Sequence, residues 1–327
     1  MNYTMCLPLG SNLPLEYGGW DELRRSLSEL GCAGVEGIWT GEPIPDGLPQ
    51  DLIMSYHLTF YPDWLDFYRE DKAALKRKFG SLDAAYQFYG GSKPEFLLEL
   101  YRDDLARARR LHARYVVFHV SDVSLEEGYT YHWLHSDEEV IDAAVEIINL
   151  LLRDAAPDFT FLVENQWWPG FTFTEPQKTE RLLDGIQFAR KGILLDTGHL
   201  MNTCVQIRTQ EEGVQYIRRM LDRHGALADY ICGMHLHQSI SGAYVRAHTG
   251  ALPDDRGKDY VTRFCESYQH ILRIDQHLPW TEPSIYSVLE YIAPAYVAHE
   301  LSAQTRRQRE TAIRNQQETL MKGRRCV

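Results

Sequence analysis

The chain has 327 residues, of which 44% are hydrophobic and 24% charged, and a formal net charge of −12. This is the composition of a folded globular protein with enough chain to bury a sizeable core, and it excludes a disordered chain. The acidic balance argues against a broad nucleic-acid-binding surface, and no apolar stretch approaches the length that spans a bilayer.

The segment Met1 to Gly10 carries no basic leader followed by an apolar run, so no secretory signal is expected. The cysteines at 6, 32, 204, 232, 265 and 326 form no C-x-x-C pair. A disulfide framework or thiolate zinc site is therefore not expected, and a reducing cytoplasm is the default compartment. The basic run Arg306 to Arg325 reads as a solvated helix face.

Short apolar runs alternate with amphipathic stretches, the pattern of βα units around a parallel sheet. Tyr3 to Pro8 reads as a first strand, and Trp20 to Leu30 as a helix stopped at Gly31. Gly34 to Trp39 (GVEGIW) and Leu52 to Phe60 (LIMSYHLTF) follow as strands. A long polar and aromatic insertion leads to a helix over Glu95 to His112. Tyr115 to Ser121 (YVVFHVS) is the fourth strand. Ser136 and Glu139 form a capping box opening a helix to about Arg153. Phe159 to Glu164 (FTFLVE) and Gly192 to Asp196 (GILLD) are the fifth and sixth strands. Thr209 and Glu212 open another capped helix, ending near Gly225. Tyr230 to Leu236 (YICGMHL) is the seventh strand. After a second long connection come helices around Tyr260 to Arg273 and Ser284 to Ile292. Tyr296 to Leu301 (YVAHEL) is the eighth strand, and a closing helix with a frayed end completes the chain. Eight strands with intervening helices predict one (β/α)₈ barrel over residues 1–327, with long insertions over its C-terminal face and the closing helix after about residue 302. No G-x-G-x-x-G follows the first strand, so a dinucleotide site is not expected.

Barrel chemistry sits at the C-terminal ends of the strands. There the sequence places His57, His119, Glu164, Asp196 with His199, His235 with His237, and Glu300, together with Asp275 and His277 in the last connection. Each alone reads as a hydrogen-bonded structural residue or a cap. Jointly they would bury several charges near one axis, which is costly unless a cation neutralises them. Mixed imidazole and carboxylate donors suit Zn²⁺, Mn²⁺, Fe²⁺ or Co²⁺. In the insertion before the eighth strand, Arg246, His248 and Lys258 could bind an anionic substrate group. Trp167 and Trp168 read equally as rim packing and as an apolar wall for a substrate ring.

The motifs SYH, FHVS, LVEN, LDTGH, MHLH, IDQH and AHEL fall in the order and context of the ligand-bearing strands of the xylose isomerase-like barrels, and the chain resembles that superfamily over nearly its whole length. The superfamily includes sugar isomerases and epimerases and the endonuclease IV (AP endonuclease family 2) branch. The resemblance implies one to three divalent ions. His57, His119 and Glu164 would hold one. Glu164, Asp196, His235 and Glu300 would hold a second, with Glu164 bridging; these four are what sugar epimerases retain. His199, Asp275 and His277 would hold a third, as in endonuclease IV. His248 rivals His277 and Glu290 rivals Glu300, and in both cases the residue in the motif is preferred. His237 reads as a residue behind the ligands or at the substrate.

The leading expectation is a metal-dependent isomerase or epimerase of a small polyhydroxylated carbonyl compound. Glu164 and Glu300 would exchange the proton, and His199 with His235 would orient oxygens or stabilise the enediolate charge. The alternative is a multinuclear phosphoesterase of endonuclease IV type, and a third reading is a non-catalytic ligand-binding barrel. The partner expected is a small molecule rather than nucleic acid or a membrane, and self-association into a homo-oligomer is left open.

Overall fold

In the computed structural model, which describes residues 1–153, 158–254 and 257–325, eight parallel strands close into a barrel in sequential order. They are β1 (Asn2–Leu9), β2 (Cys32–Trp39), β3 (Ile53–His57), β4 (Tyr115–His119), β5 (Thr160–Glu164), β6 (Lys191–Asp196), β7 (Ile231–His235) and β8 (Tyr296–His299). Pairing of β8 with β1, with Met5 opposite His299, completes the ring. Cys326 lies outside the described residues. No helix among the described residues is long and apolar enough to cross a membrane.

The strands read as continuous apolar runs because both faces are buried, one in the lumen and one under the helices. Side chains alternate between the faces. Phe161, Val163, Ile193 and Leu195 join the large core cluster, whereas Tyr115, Val117, Leu162 and Leu194 form a separate cluster. His119, Glu164 and Asp196 stand two residues beyond Val117, Leu162 and Leu194, so the period of two puts them on the same face as that cluster, one layer nearer the C-terminal mouth.

Four strands expected to reach Phe60, Ser121, Leu236 and Leu301 stop at His57, His119, His235 and His299. In three of them the apolar signal continues past the last ladder residue because Leu58, Val120 and Leu236 remain buried in the loops. The helix Asp137–Leu152 opens on the expected Ser136–Glu139 capping box. Thr209 caps Gln210–His224 through the Glu212 amide, while the Glu212 carboxylate turns to the Arg208 amide at 2.7 Å.

The two long insertions follow β3 and β7 and meet each other. Tyr260 of the helix Tyr260–Ile274 lies 4.2 Å, centroid to centroid, from Phe79 of the helix Lys72–Phe79. Phe88, in the helix Leu82–Tyr89, contacts both Tyr260 and Phe264. The first insertion is tied down by a buried ion network in which Lys78 Nζ lies 2.7 Å from Asp63 and 2.6 Å from Asp66. It is also fastened to the loop after β4. Asp122 Oδ1 accepts the amides of Trp64 (2.7 Å) and Leu65 (2.8 Å), and the Trp64 indole donates to the Ser121 carbonyl. The helix Arg306–Arg324 buries Ile313 and Leu320 and links to the loop after β7 through Gln316, which donates to the Leu236 carbonyl at 2.8 Å.

Candidate metal centre

Glu164 is fully buried and its two oxygens face different partners. Oε2 lies 3.2 Å from His57 Nε2 and 3.0 Å from His119 Nε2. Oε1 lies 3.2 Å from His199 Nδ1 and 3.3 Å from His235 Nδ1. His235 Nδ1 also stands 2.7 Å from Glu300 Oε2 and 3.6 Å from Asp196 Oδ2. A third gathering forms around Asp275, whose Oδ2 is 3.2 Å from both His199 Nε2 and His277 Nε2. The nine expected ligands thus converge at one end of the barrel. His57, His119 and Glu164 have donor atoms within 4.8 Å of one another, as do Glu164, Asp196, His235 and Glu300.

Local sequence explains the placement. In LDTGH, Asp196 ends β6 and caps the helix Thr197–Asn202, its Oδ1 accepting the His199 amide at 2.6 Å. Asn165, directly after Glu164, stitches β5 to β6 with two hydrogen bonds to the Asp196 backbone. Gly198 is required by contact, since a Cβ there would stand 2.1 Å from the His237 ring. His277 sits in the left-handed region at φ 47°, which His tolerates better than most residues. His237 belongs more closely to the centre than a purely substrate-facing role implies. Its Nε2 is 2.7 Å from Asp196 Oδ2, and it groups with Asp196, His199 and His277 as potential donors.

The donor chemistry fits divalent cations. Three histidines are anchored through one ring nitrogen. His57 Nδ1 bonds the Leu58 carbonyl at 2.9 Å, His199 Nδ1 the Asn165 carbonyl at 3.0 Å, and His235 Nε2 the Glu36 carboxylate at 2.6 Å. With Nδ1 of His57 and Nε2 of His235 donating, the opposite nitrogens present lone pairs, as metal-ligating imidazoles do, while His199 Nδ1 also lies 3.0 Å from the Gln166 amide nitrogen. Meanwhile Glu164 Oε1, His235 Nδ1, His277 Nε2 and Glu300 Oε2 are buried without a hydrogen-bond partner. Buried polar atoms left unsatisfied cost about 1–3 kcal/mol each, and three of these four belong to the one group of Glu164, Asp196, His235 and Glu300, where a cation would satisfy them.

The electrostatics agree. Burial pushes the carboxyls of Glu164 and Asp196 upward, but the histidines beside them outweigh it and hold both well below the usual carboxylate range. Burial pushes His199 and His235 down, and the surrounding carboxylates reverse this and raise both well above the ordinary imidazole value. Imidazoles and carboxylates thus compensate one another here, and a divalent cation would supply the same compensation to the carboxylates.

Other expected site residues are employed elsewhere. Arg246 is exposed and its guanidinium bonds the Val205 carbonyl. Lys258, also exposed, pairs with Glu266 at 2.7 Å. An insertion charge has no need to reach the mouth when a carboxylate or carbonyl lies nearer. His248 stacks on Tyr244 at 4.1 Å and lines a separate surface cavity with Tyr129 and His270, and Glu290 is exposed on the helix Tyr286–Ile292. Trp167 and Trp168 are buried in an apolar cluster with Val123, Val245 and Ile274, although the Trp167 ring reaches within 5.0 Å of His199.

Two residues at the centre lay outside the sequence expectation. Glu36 is buried beneath His235, and the signal was a carboxylate inside an otherwise apolar strand. Phe60 is 45% exposed and lies 4.2 Å from the His119 ring, an aromatic surface at the mouth that the SYHLTF run places three residues beyond a ligand candidate.

The fold resembles endonuclease IV from Thermus thermophilus, with a TM-score of 0.55 and 15% identity over 98% of this chain and 100% of that one. It resembles an L-ribulose 3-epimerase about equally, with a TM-score of 0.54 and 12% identity over 99% and 96% of the two chains. At such identities the likeness is one of fold. No curated protein matches the sequence. Residues 24–282 match the family described as the xylose isomerase-like TIM barrel, and the chain belongs to that family.

Proposed function

We propose that this protein is a multinuclear metal-dependent hydrolase of a small phosphate ester. The observation that carries the reading is Glu164, whose two oxygens each face a different pair of histidines, with Asp275, His199 and His277 gathered alongside. A site with one ion would leave His57, His119 and Asp275 as buried ionisable groups without a task, and such groups are costly to keep. Bound divalent cations supply positive charge at phosphoryl oxygens and acidify water. Glu164 would hold neighbouring ions together, and Asp196, His235 and Glu300 would complete the central position. Glu300, partly exposed at the mouth, would be the ligand nearest an incoming substrate or water. Phe60 offers a flat apolar contact beside His119.

The net charge of −12, with Arg246 and Lys258 engaged elsewhere, supports a small substrate over duplex DNA, whose binding rests on many phosphate contacts. The isomerase or epimerase reading keeps one specific support: Glu164 and Glu300 both stand against His235 Nδ1, at 3.3 and 2.7 Å, as a pair of carboxylates around one position.

One experiment separates the readings. The protein reconstituted with Mn²⁺ or Zn²⁺ is offered p-nitrophenyl phosphate and bis(p-nitrophenyl) phosphate, and in parallel ketoses in deuterated water. Hydrolysis that is lost in both Glu164→Gln and His119→Asn supports the hydrolase. Exchange of a carbon-bound proton that survives His119→Asn but not Glu300→Gln supports the isomerase. Efficient incision of abasic DNA, abolished by Glu164→Ala, would overturn the small-substrate reading.

A further inference from the structure

The group that holds His235 differs in kind from those beside His57 and His199. Nδ1 of His57 and of His199 each lie against a main-chain carbonyl, at 2.9 and 3.0 Å, whereas His235 Nε2 lies 2.6 Å from a carboxylate, Glu36 Oε1. Glu36 is fully buried within the barrel. Its second oxygen accepts the hydroxyls of Ser55 at 2.8 Å and Tyr115 at 2.7 Å, and the Cys6 thiol lies 3.5 Å from Oε1. The strand register sets these groups side by side, Cys6 opposite Glu36, Glu36 opposite Ser55, and Ser55 opposite Tyr115. They form a polar row beneath the layer of ligand candidates.

An ionised carboxylate in a barrel lumen is expensive, and apolar residues of similar volume would serve stability as well or better. Every one of the four groups around Glu36 can donate, so the row is built to keep this carboxylate as an acceptor. The donor that matters for the centre is His235. With its Nε2 hydrogen committed to Glu36, its Nδ1 lone pair is aimed at Glu164, Asp196 and Glu300. A carboxylate in that position also makes the imidazole a stronger donor than a carbonyl would.

We propose that Glu36 is a positioning residue that fixes the tautomer and orientation of His235 and strengthens its bond to the central cation. The proposal rests on the metal reading given above. It assigns to β2 a part in a centre to which that strand contributes no ligand.

The test uses the full-length protein loaded with Zn²⁺ or Co²⁺, with affinity measured by competition against a chromophoric chelator. Glu36→Gln keeps the size and an acceptor oxygen while removing the charge. It should weaken binding by about 10–100-fold. In long-range ¹H–¹⁵N spectra of the zinc form, the His235 Nε2 proton should move upfield as its short bond to the carboxylate is lost. Ser55→Ala removes one donor to Glu36 without touching His235, and should weaken binding less than Glu36→Gln does while leaving the His235 Nε2 proton close to its wild-type position. If Glu36→Gln binds like wild type while His235→Asn binds weakly, the role of Glu36 is overturned and the metal reading stands. If His235→Asn also binds like wild type, the metal reading falls and the role of Glu36 with it. An ion found between Cys6, Glu36 and His235 Nε2 would overturn the proposal by making Glu36 a ligand.

Discussion

Asp122 fastens the first insertion to the loop that follows His119, and its removal has a calculable cost. Its Oδ1 is the shared acceptor for the buried amides of Trp64 and Leu65, at 2.7 and 2.8 Å. Hydrogen bonds to a charged group contribute about 1.5–3 kcal/mol each, and a buried amide left without a partner costs about 1–3 kcal/mol. Asp122→Ala should therefore destabilise the protein by roughly 3–5 kcal/mol once relaxation around the site is allowed for. Asp122→Asn retains an acceptor oxygen and removes a carboxyl that burial pushes upward, so it should cost less than about 1.5 kcal/mol. Urea unfolding gives the two values, and native-state hydrogen exchange at Trp64 and Leu65 shows where the loss falls. Equal costs for Ala and Asn, or unchanged protection of the two amides in Asp122→Ala, would refute the reasoning.

Gly198→Ala would drive a methyl group into the His237 ring, where the contact would be 2.1 Å. It should cost about 1–3 kcal/mol in thermal unfolding and break the 2.7 Å bond between His237 and Asp196, and a melt equal to wild type would contradict this. His299 faces the closing helix, accepts from Gln316 at 2.8 Å, and is pushed down by burial to about 4 from 6.5. A depressed imidazole favours unfolding on protonation. Its contribution is fully present above pH 6.5 and is lost as pH falls through about 4, roughly 3 kcal/mol in all. The urea-derived stability of His299→Gln should accordingly decline less between pH 7 and pH 4 than that of the wild type.

The convergence of strand-end residues was legible because lumen-facing positions recur every second residue and the strands β3 to β8 each end at, or one residue before, a residue that can ligate. Pairs such as Leu162 with Glu164 and Leu194 with Asp196 carry that pattern in the sequence alone. Strand ends were less legible, since burial continues into the loops at Leu58, Val120 and Leu236. The occupation of Arg246 and Lys258 depends on which acceptor lies near them in space, Val205 and Glu266, which no local pattern records. Glu36 was readable as an anomaly in GVEGIW, but its partner His235 lies 199 residues away. The short helices of the insertions, such as Leu65–Tyr68, depend on caps from distant residues like Asp122.

The central claim is that Glu164 is shared between ions. Anomalous diffraction from crystals of the reconstituted protein, collected at the zinc and manganese edges, tests it most directly. The account predicts at least two ions in contact with Glu164, one also reached by His57 and His119 and another by Asp196, His235 and Glu300. A single ion without His57 or His119 among its ligands would contradict the multinuclear site, and no ion at the strand ends would contradict the metal centre itself.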